Sequence, residues 1–207
     1  MWHGEYAADG FSGGSLPMSS VAAVILAAGV SRRLGESKQL VRLNGETLLE
    51  RAVRVCREAG CSPVVVVLGA SAGEVREQCA LGDAAIVTNE EWAEGMGSSV
   101  RRGVRALPPN VEGCVITTCD QPAVTAEHLR ALMALGELTA SAYAGHRGVP
   151  AYFPLKIFAE LMNLRGDAGA RELLKDAKWL ELAAAELDVD TPADLERARR
   201  LFERRPA

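Results

Sequence analysis

The chain has 207 residues, 48% hydrophobic and 24% charged, with a net charge of -4 at pH 7. This composition excludes wholesale disorder and supports a core large enough to need neither disulfide nor metal staple. Lys and Arg number 23 against 27 Asp and Glu, the wrong balance for a general nucleic-acid binder, and no apolar run approaches the roughly 20 residues that a membrane span needs.

Residues 1–20 are rich in Gly, Ser and Ala and show no periodicity. They lack the basic start and apolar stretch of a secretory signal, and are read as a disordered or vector-derived segment preceding a single domain over 21–207. Val21–Leu26 is a continuous apolar run, the mark of a strand buried on both faces. Thr47-Leu48-Leu49-Glu50 predicts a capping box opening a helix that ends near Gly60. Pro63–Leu68, with four successive valines, predicts a second buried strand, and Ser71-Ala72-Gly73-Glu74 a second capping box. Ala84–Thr88 reads as a third strand, Ser98–Leu107 as a helix closed by Pro108-Pro109, Cys114–Thr118 as a fourth strand and Thr125–Leu135 as the helix after it. Beyond Thr139 the rhythm loosens. Tyr143–Phe153 carries two glycines and a proline, Leu155–Leu164 and Gly169–Asp176 read as helical, Trp179–Ala184 as a strand, and Thr191-Pro192 opens a last helix. Alternating strands and helices predict an α/β three-layer sandwich around a mostly parallel sheet. The five cysteines contain no C-x-x-C pair and no histidine at metal-ligand spacing; they read as reduced, mostly buried thiols in a cytoplasmic protein.

Open parallel sheets bind ligands at the carboxyl ends of their strands, so the strand-to-loop junctions carry the functional reading. The first junction runs from Leu26 to Lys38 as LAAGVSRRLGESK. Small residues let a ligand approach the backbone, and Arg32, Arg33 and Lys38 supply cations suited to a polyphosphate. Its glycine spacing matches neither the dinucleotide-binding turn nor the P-loop. The second junction is Thr117-Thr118-Cys119-Asp120-Gln121-Pro122, where Asp120 is either a ligand for a hard cation or a turn cap. The third is Asp188-Val189-Asp190-Thr191-Pro192; Asp190 is either a second carboxylate for that cation or an acid that stabilises the helix start. Asn89–Ser99 and Gly166–Arg171 are glycine-containing helix starts that serve either a ligand or ordinary capping. His3, His128 and His146 form no cluster, and His128 reads as structural.

Taken together, Leu26-Ala27-Ala28-Gly29-x-Ser31-x-Arg33-x-Gly35-x-x-Lys38-Gln39-Leu40, Trp92-x-x-Gly95-Met96-Gly97-x-Ser99, Asp120-Gln121-Pro122, Gly166-Asp167-x-Gly169-Ala170-Arg171 and Asp190-Thr191-Pro192-x-Asp194 resemble the MobA-like nucleotidyltransferases. Within that family they resemble the molybdenum cofactor cytidylyltransferase branch. The resemblance implies a Rossmann-like nucleotidyltransferase fold and transfer of a nucleoside monophosphate, CTP favoured, to molybdopterin or its molybdenum cofactor. It implies that Leu26, Ala27, Ala28, Gly29, Ser31, Arg32, Lys38, Asn89, Gly95, Met96 and Ser99 contact the nucleotide. Lys38, Arg33 and Asp120 are implied as catalytic, Asp120 and Asp190 as ligands of Mg2+, and Gln121, Gly148, Pro150, Asp167 and Arg171 as the acceptor side. The expected partners are a nucleoside triphosphate, a phosphorylated small-molecule acceptor and, transiently, a molybdoenzyme or its chaperone, with no nucleic acid and no membrane. Ala28 stands where GTP-using members have glycine, and its methyl group narrows the space for a purine. Gly148-Val149-Pro150 departs from the Gly-His-Pro of the cytidylyltransferases, which opens the identity of the acceptor. A sugar- or polyol-phosphate nucleotidyltransferase and a non-catalytic nucleotide or pterin carrier are the competing expectations.

Overall fold

The structure is a computed structural model and describes residues 20–143, 145–167, 170–182 and 187–203. In chain order its elements are β1 (Ser20–Ala27), β2 (Arg42–Leu43), β3 (Glu46–Thr47), α1 (Leu48–Glu58), β4 (Val64–Leu68), α2 (Ala72–Gln78), β5 (Ala85–Thr88), α3 (Met96–Arg105), β6 (Val111–Thr118), α4 (Ala126–Ala134), β7 (Thr139–Tyr143), β8 (His146–Pro154), α5 (Phe158–Leu161), β9 (Lys178–Glu181) and α6 (Pro192–Glu203). Short 3-10 turns at Lys38–Leu40, Trp92–Glu94 and Leu155–Ile157 complete the list. The segment 1–20 expected to be disordered lies, but for Ser20, outside the described residues.

The main sheet has seven strands in the order β5-β4-β1-β6-β8-β7-β9. β1, β4, β5 and β6 are mutually parallel, β8 is antiparallel to both β6 and β7, and β9 is parallel to β7. The mostly parallel α/β sandwich is as expected; the reversed strand falls in the segment whose sequence rhythm loosens. Strand alternation splits the core in two. Ala23, Ile25 and Ala27 pack with α1, α2 and α4, while Ala22, Val24 and Leu26 pack with α3 and α5. A third cluster joins Leu34, Val41 and Leu48 to Leu187, Val189 and Leu195. It seats the loop after β1 against the start of α6.

Thr47 forms the predicted capping box, accepting from the Glu50 amide while Glu50 accepts from Thr47 N. The second box does not form. Ser71 sits at φ -105°, ψ 25°, outside the extended region that lets a cap side chain reach the third helical amide. Instead Ser37 Oγ donates to the Glu74 carboxylate, which commits its one proton, and shares a second hydrogen bond with the Ser71 hydroxyl. The helix expected over Gly169–Asp176 is likewise absent: residues 170–176 form successive turns that drive Ala170, Leu174 and Ala177 into the second core, and Gly169 lies outside the described residues. Leu155–Leu164 shortens to a 3-10 turn and one turn of α5.

The β7–β8 ladder shifts register between Ala140 and Ser141, which pair with Ala151 and Gly148. Val149 and Pro150 are thus bulged out of the ladder, the place where a residue lacking an N–H is tolerated inside a sheet.

Candidate nucleotidyl-transfer site

The loop after β1 is rigidly tied. Leu34 N and Gly35 N donate to Ser31 O, with Gly35 at φ +84° closing the turn, and Ser31 Oγ accepts from Lys38 N at 2.9 Å. Gln39 is 1% exposed, and its Nε2 donates to both Ala27 O (2.8 Å) and Gly29 O (3.2 Å). The segment Ala27–Gly29 therefore has its curvature set from beneath by one buried amide. Gly69, at the end of β4, has no room for a side chain: a Cβ there would lie 2.5 Å from Ala28 O. With the loop ends buried in the third core cluster, Arg32 and Arg33 are left exposed.

Val189 N donates to Asp120 O at 2.9 Å, which lays the chain before α6 alongside the end of β6. That contact brings together the two acids whose meeting could not be read from the sequence. Lys38 Nζ donates to Asp120 Oδ2 at 2.5 Å and to Asp190 Oδ1 at 3.0 Å, and Arg33 donates to Asp190 Oδ2 at 2.7 Å. The Lys38 and Asp120 side chains are 18% and 15% exposed. Burial alone would pull the Lys38 ammonium down, but the charge and hydrogen bond of Asp120, with help from Asp190, outweigh it and hold the group above the usual lysine range. Asp188 sits behind this cluster. Burial, reinforced by the charge of Asp120, pushes its carboxyl up to about 6.

A cleft of about 430 Å3 opens over these groups. It is lined by Leu26–Val30, Arg32, Lys38 and Gln39 of the loop after β1, by Thr118–Asp120 at the end of β6, and by Trp92, Ala93, Gly95, Met96, Ser99 and Asp167. A second hollow of about 280 Å3 continues from it between Val30–Arg33, Lys38 and Asp190. A larger but shallower depression of about 510 Å3, beside Leu135, Arg147 and Lys175–Trp179, lies at the β9 edge of the sheet and contains none of the expected site residues.

Leu26, Ala27, Ala28, Gly29, Arg32, Lys38, Gly95, Met96, Ser99, Asp120 and Asp167 thus border one cavity, and Ser31, Arg33 and Asp190 border its extension. Asn89 does not line it. Its amide donates to Ser98 and Ser99 Oγ while its oxygen accepts from Glu91 N, so it braces the start of α3. On the acceptor side, Gln121 is buried and donates to Tyr143 Oη, which in turn donates to Val149 O. Gly148 lies against the same phenol, 2.8 Å from where its Cβ would be, and Pro150 O accepts from Ser141. Arg171 is exposed, near enough for its charge to act on Tyr143. Asp167, expected with this acceptor group, instead stands against Gly95 in the cleft wall. Gln39, Tyr143 and Asp188 were not singled out from the sequence. Gln39 carried a signal, its place after Lys38 in the motif; Tyr143 and Asp188 acquire their positions from the hairpin and the pairing of Val189.

The two carboxylates offer the hard oxygens that a divalent cation takes, and they already converge on one positive charge, the Lys38 ammonium. The pair is a partial donor set for such a cation: among the described residues no group of three or more His, Cys, Asp or Glu converges as a metal site.

Comparison with known proteins matches residues 23–184 to the family described as MobA-like NTP transferase domain. Curated relatives include nicotine blue oxidoreductase of Paenarthrobacter nicotinovorans, 31% identical across 91% of this chain and 98% of that one. Purine catabolism protein PucB of Bacillus subtilis is 32% identical across 86% of this chain and 95% of its own length, and the molybdenum cofactor cytidylyltransferase of Escherichia coli is 27% identical across 86% and 94%. Among solved structures, Rv0371c of Mycobacterium tuberculosis superposes with a TM-score of 0.79 at 32% identity, covering 88% of this chain and 99% of that one. A manganese complex of the same mycobacterial protein matches at 0.72. A nucleotidyl transferase of Methanothermobacter thermautotroptrophicus matches with a TM-score of 0.77 at 27% identity, covering 91% of this chain and 99% of that one, and the chain accordingly belongs to the MobA-like NTP transferase family.

Proposed function

We propose that this protein transfers a nucleoside monophosphate from a triphosphate, CTP by preference, to a phosphorylated acceptor of the molybdenum cofactor type, releasing pyrophosphate. The observation that carries the proposal is the convergence of Lys38, Arg33, Asp120 and Asp190 beside a cleft also lined by Trp92, Gly95, Met96, Ser99 and Asp167. An oxygen of the acceptor phosphate attacks the α-phosphorus; the bond from that phosphorus to the bridging oxygen of pyrophosphate breaks, and pyrophosphate leaves. A phosphate monoester is largely ionised at pH 7, its second pKa being about 6, so no general base is required. Lys38, Arg32 and Arg33 neutralise the charge that crowds at the phosphates, and the low-dielectric position of Lys38 strengthens that effect. Asp120 and Asp190 would hold Mg2+, which supplies Lewis-acid stabilisation when bound. Ala28, backed by Gly69, sets the depth available to the base. The five free cysteines, four of them buried, support a reducing, cytoplasmic setting.

Calorimetry with CTP, GTP and ATP, with and without Mg2+, followed by pyrophosphate release with molybdopterin, sugar phosphates and polyol phosphates, tests the proposal. Metal-dependent heat with CTP and turnover with a pterin acceptor are expected. Asp120→Asn should cost at least ~100-fold in turnover, the loss of one strong electrostatic contact. Negligible heats for every triphosphate overturn the reading, and turnover with sugar or polyol phosphates alone reassigns the acceptor.

A further inference from the structure

Arg101 is a charged residue that is buried. It projects from α3, is 3% exposed, and stands among residues of the second core. Buried guanidinium groups are costly unless hydrogen-bonded, and both terminal nitrogens of this one are. Nη1 donates to Glu94 Oε1 (2.8 Å) and to Leu164 O (2.6 Å); Nη2 donates to Glu94 Oε2 (2.6 Å), with Glu91 Oε2 at 3.4 Å. Arg101, with a smaller contribution from the Gly166 amide, holds the Glu94 carboxyl well below its usual range. One guanidinium therefore joins the 3-10 turn Trp92–Glu94 to the loop after α5.

The same two segments touch again beside the cleft. Gly97 N donates to Gly166 O at 2.9 Å. A Cβ on Gly95 would stand 2.3 Å from Asp167 Oδ1, and one on Gly97 would stand 3.0 Å from Gly166 O. Gly95 at φ +118° and Gly97 are the residues that let the loops close this tightly. Asp167, Gly95, Met96 and Ser99 line the same cleft as Lys38 and Arg32.

We propose that Arg101 is a positioning residue: it clamps the turn carrying Glu94–Ser99 to the loop carrying Gly166–Asp167, and so sets where Asp167 stands in the cleft. A carboxylate repels phosphate, so the ligand group that Asp167 meets is a neutral donor, a sugar hydroxyl or an amino group of the base. The triphosphate lies along the cationic residues of the cleft, Lys38 and Arg32. The clamp thus governs recognition of the nucleoside part and leaves the phosphate part untouched. This rests on the nucleotidyl-transfer reading of the cleft.

The test compares wild type with Arg101→Met and Arg101→Lys. Affinities for CTP and for inorganic tripolyphosphate are measured in the presence of Mg2+, and amide hydrogen exchange is followed in the free protein. In Arg101→Met, CTP affinity should fall ~10-fold, as a displaced positioning wall costs, while tripolyphosphate affinity stays within about twofold of wild type. Protection should be lost at Gly97, Ser98 and Gly166 and retained in β1, β4 and β6. Lysine keeps the charge but lacks the fork that spans both Glu94 oxygens and Leu164 O, so Arg101→Lys should fall between. If the methionine variant loses protection throughout the sheet, the lysine variant alone decides. Equal weakening of both ligands, or unchanged exchange at Gly97 and Gly166, overturns the proposal. Wild type that binds neither ligand refutes the nucleotidyl-transfer reading instead, and the exchange data still decide whether the clamp exists.

Discussion

Lys38 draws its role from neighbours that arrive from three different places in the chain: Ser31 holds its backbone, Asp120 and Asp190 its ammonium. Among the histidines, His128 has an environment of a different kind. Ser141 Oγ donates to Pro150 O, so the hydroxyl proton is already committed, and the ring Nε2 at 2.8 Å from that oxygen must carry the hydrogen it shares. Burial holds the imidazole below its usual pKa. The unfolded chain therefore binds a proton first as pH falls, so the contribution of this residue is fully present above about 6.5 and is lost as pH drops through the folded value. His128→Gln keeps a donor and removes the titration. Thermal melts at pH 7.5 and 5.5 should show a smaller acid loss in the variant than in wild type; parallel losses would remove His128 from the acid response. Turnover of the variant should stay within a few-fold of wild type, since the transfer chemistry uses no histidine.

Two helix starts of similar sequence behave differently, and the contrast can be measured. Thr47 and Glu50 exchange hydrogen bonds at the start of α1, and Glu50 Oε1 also takes the Ala80 amide, so this cap ties two segments together. Thr47 is fully buried. Thr47→Ala should lower stability by about 1 kcal/mol or somewhat more, a fall in Tm of roughly 2–4 °C for a domain of this size. Ser71 makes no cap hydrogen bond, and Ser71→Ala should change stability by no more than about 0.5 kcal/mol. Calorimetric melts of the two variants side by side check both values; equal losses would mean that the Ser71 geometry is wrong. The hydroxyl of Ser71 instead meets Ser37, directly before Lys38, so any effect of its removal should fall on ligand binding.

At the scale of the whole molecule, the site depends on how closely α3 approaches the sheet. Gly103 makes that approach possible: a Cβ there would stand 2.3 Å from Val24 Cγ1 and 2.9 Å from Val67 Cγ2, at the centre of β1 and β4. Alanine is the better helix former, but the strand valines are stiff and cannot turn away. Gly103→Ala should therefore destabilise by about 1–3 kcal/mol through overpacking. Combining it with Val24→Ala should cost less than the two separate losses summed, because the second change vacates the space the first one needs. Denaturant unfolding of the single and double variants measures this coupling, and strict additivity would place the clash elsewhere. No helix among the described residues is long and apolar enough to cross a membrane.

The buried parallel strands, the Thr47 cap, the cationic loop and the order of the acidic motifs were legible in the sequence because each rests on local signals: a continuous apolar run, a side chain three residues from its partner, a cluster of small and basic residues. The reversed strand β8 was not legible, since its direction comes from pairing with β6 across the sheet and its bulge at Val149-Pro150 leaves no periodic trace. Ser71-x-x-Glu74 has the letters of a cap, but Ser37 competes for both side chains and wins. Asp120 and Asp190 each had an ordinary local explanation. Only the hydrogen bond from Val189 to Asp120, made possible by the packing of Leu34, Val41 and Leu195 under the loop, sets the two acids on one ammonium. Local composition determined which chemistry the chain could carry, whereas long-range burial decided which of its charges meet, because a charged group far along the chain is drawn to another only after the apolar surfaces beneath them have joined.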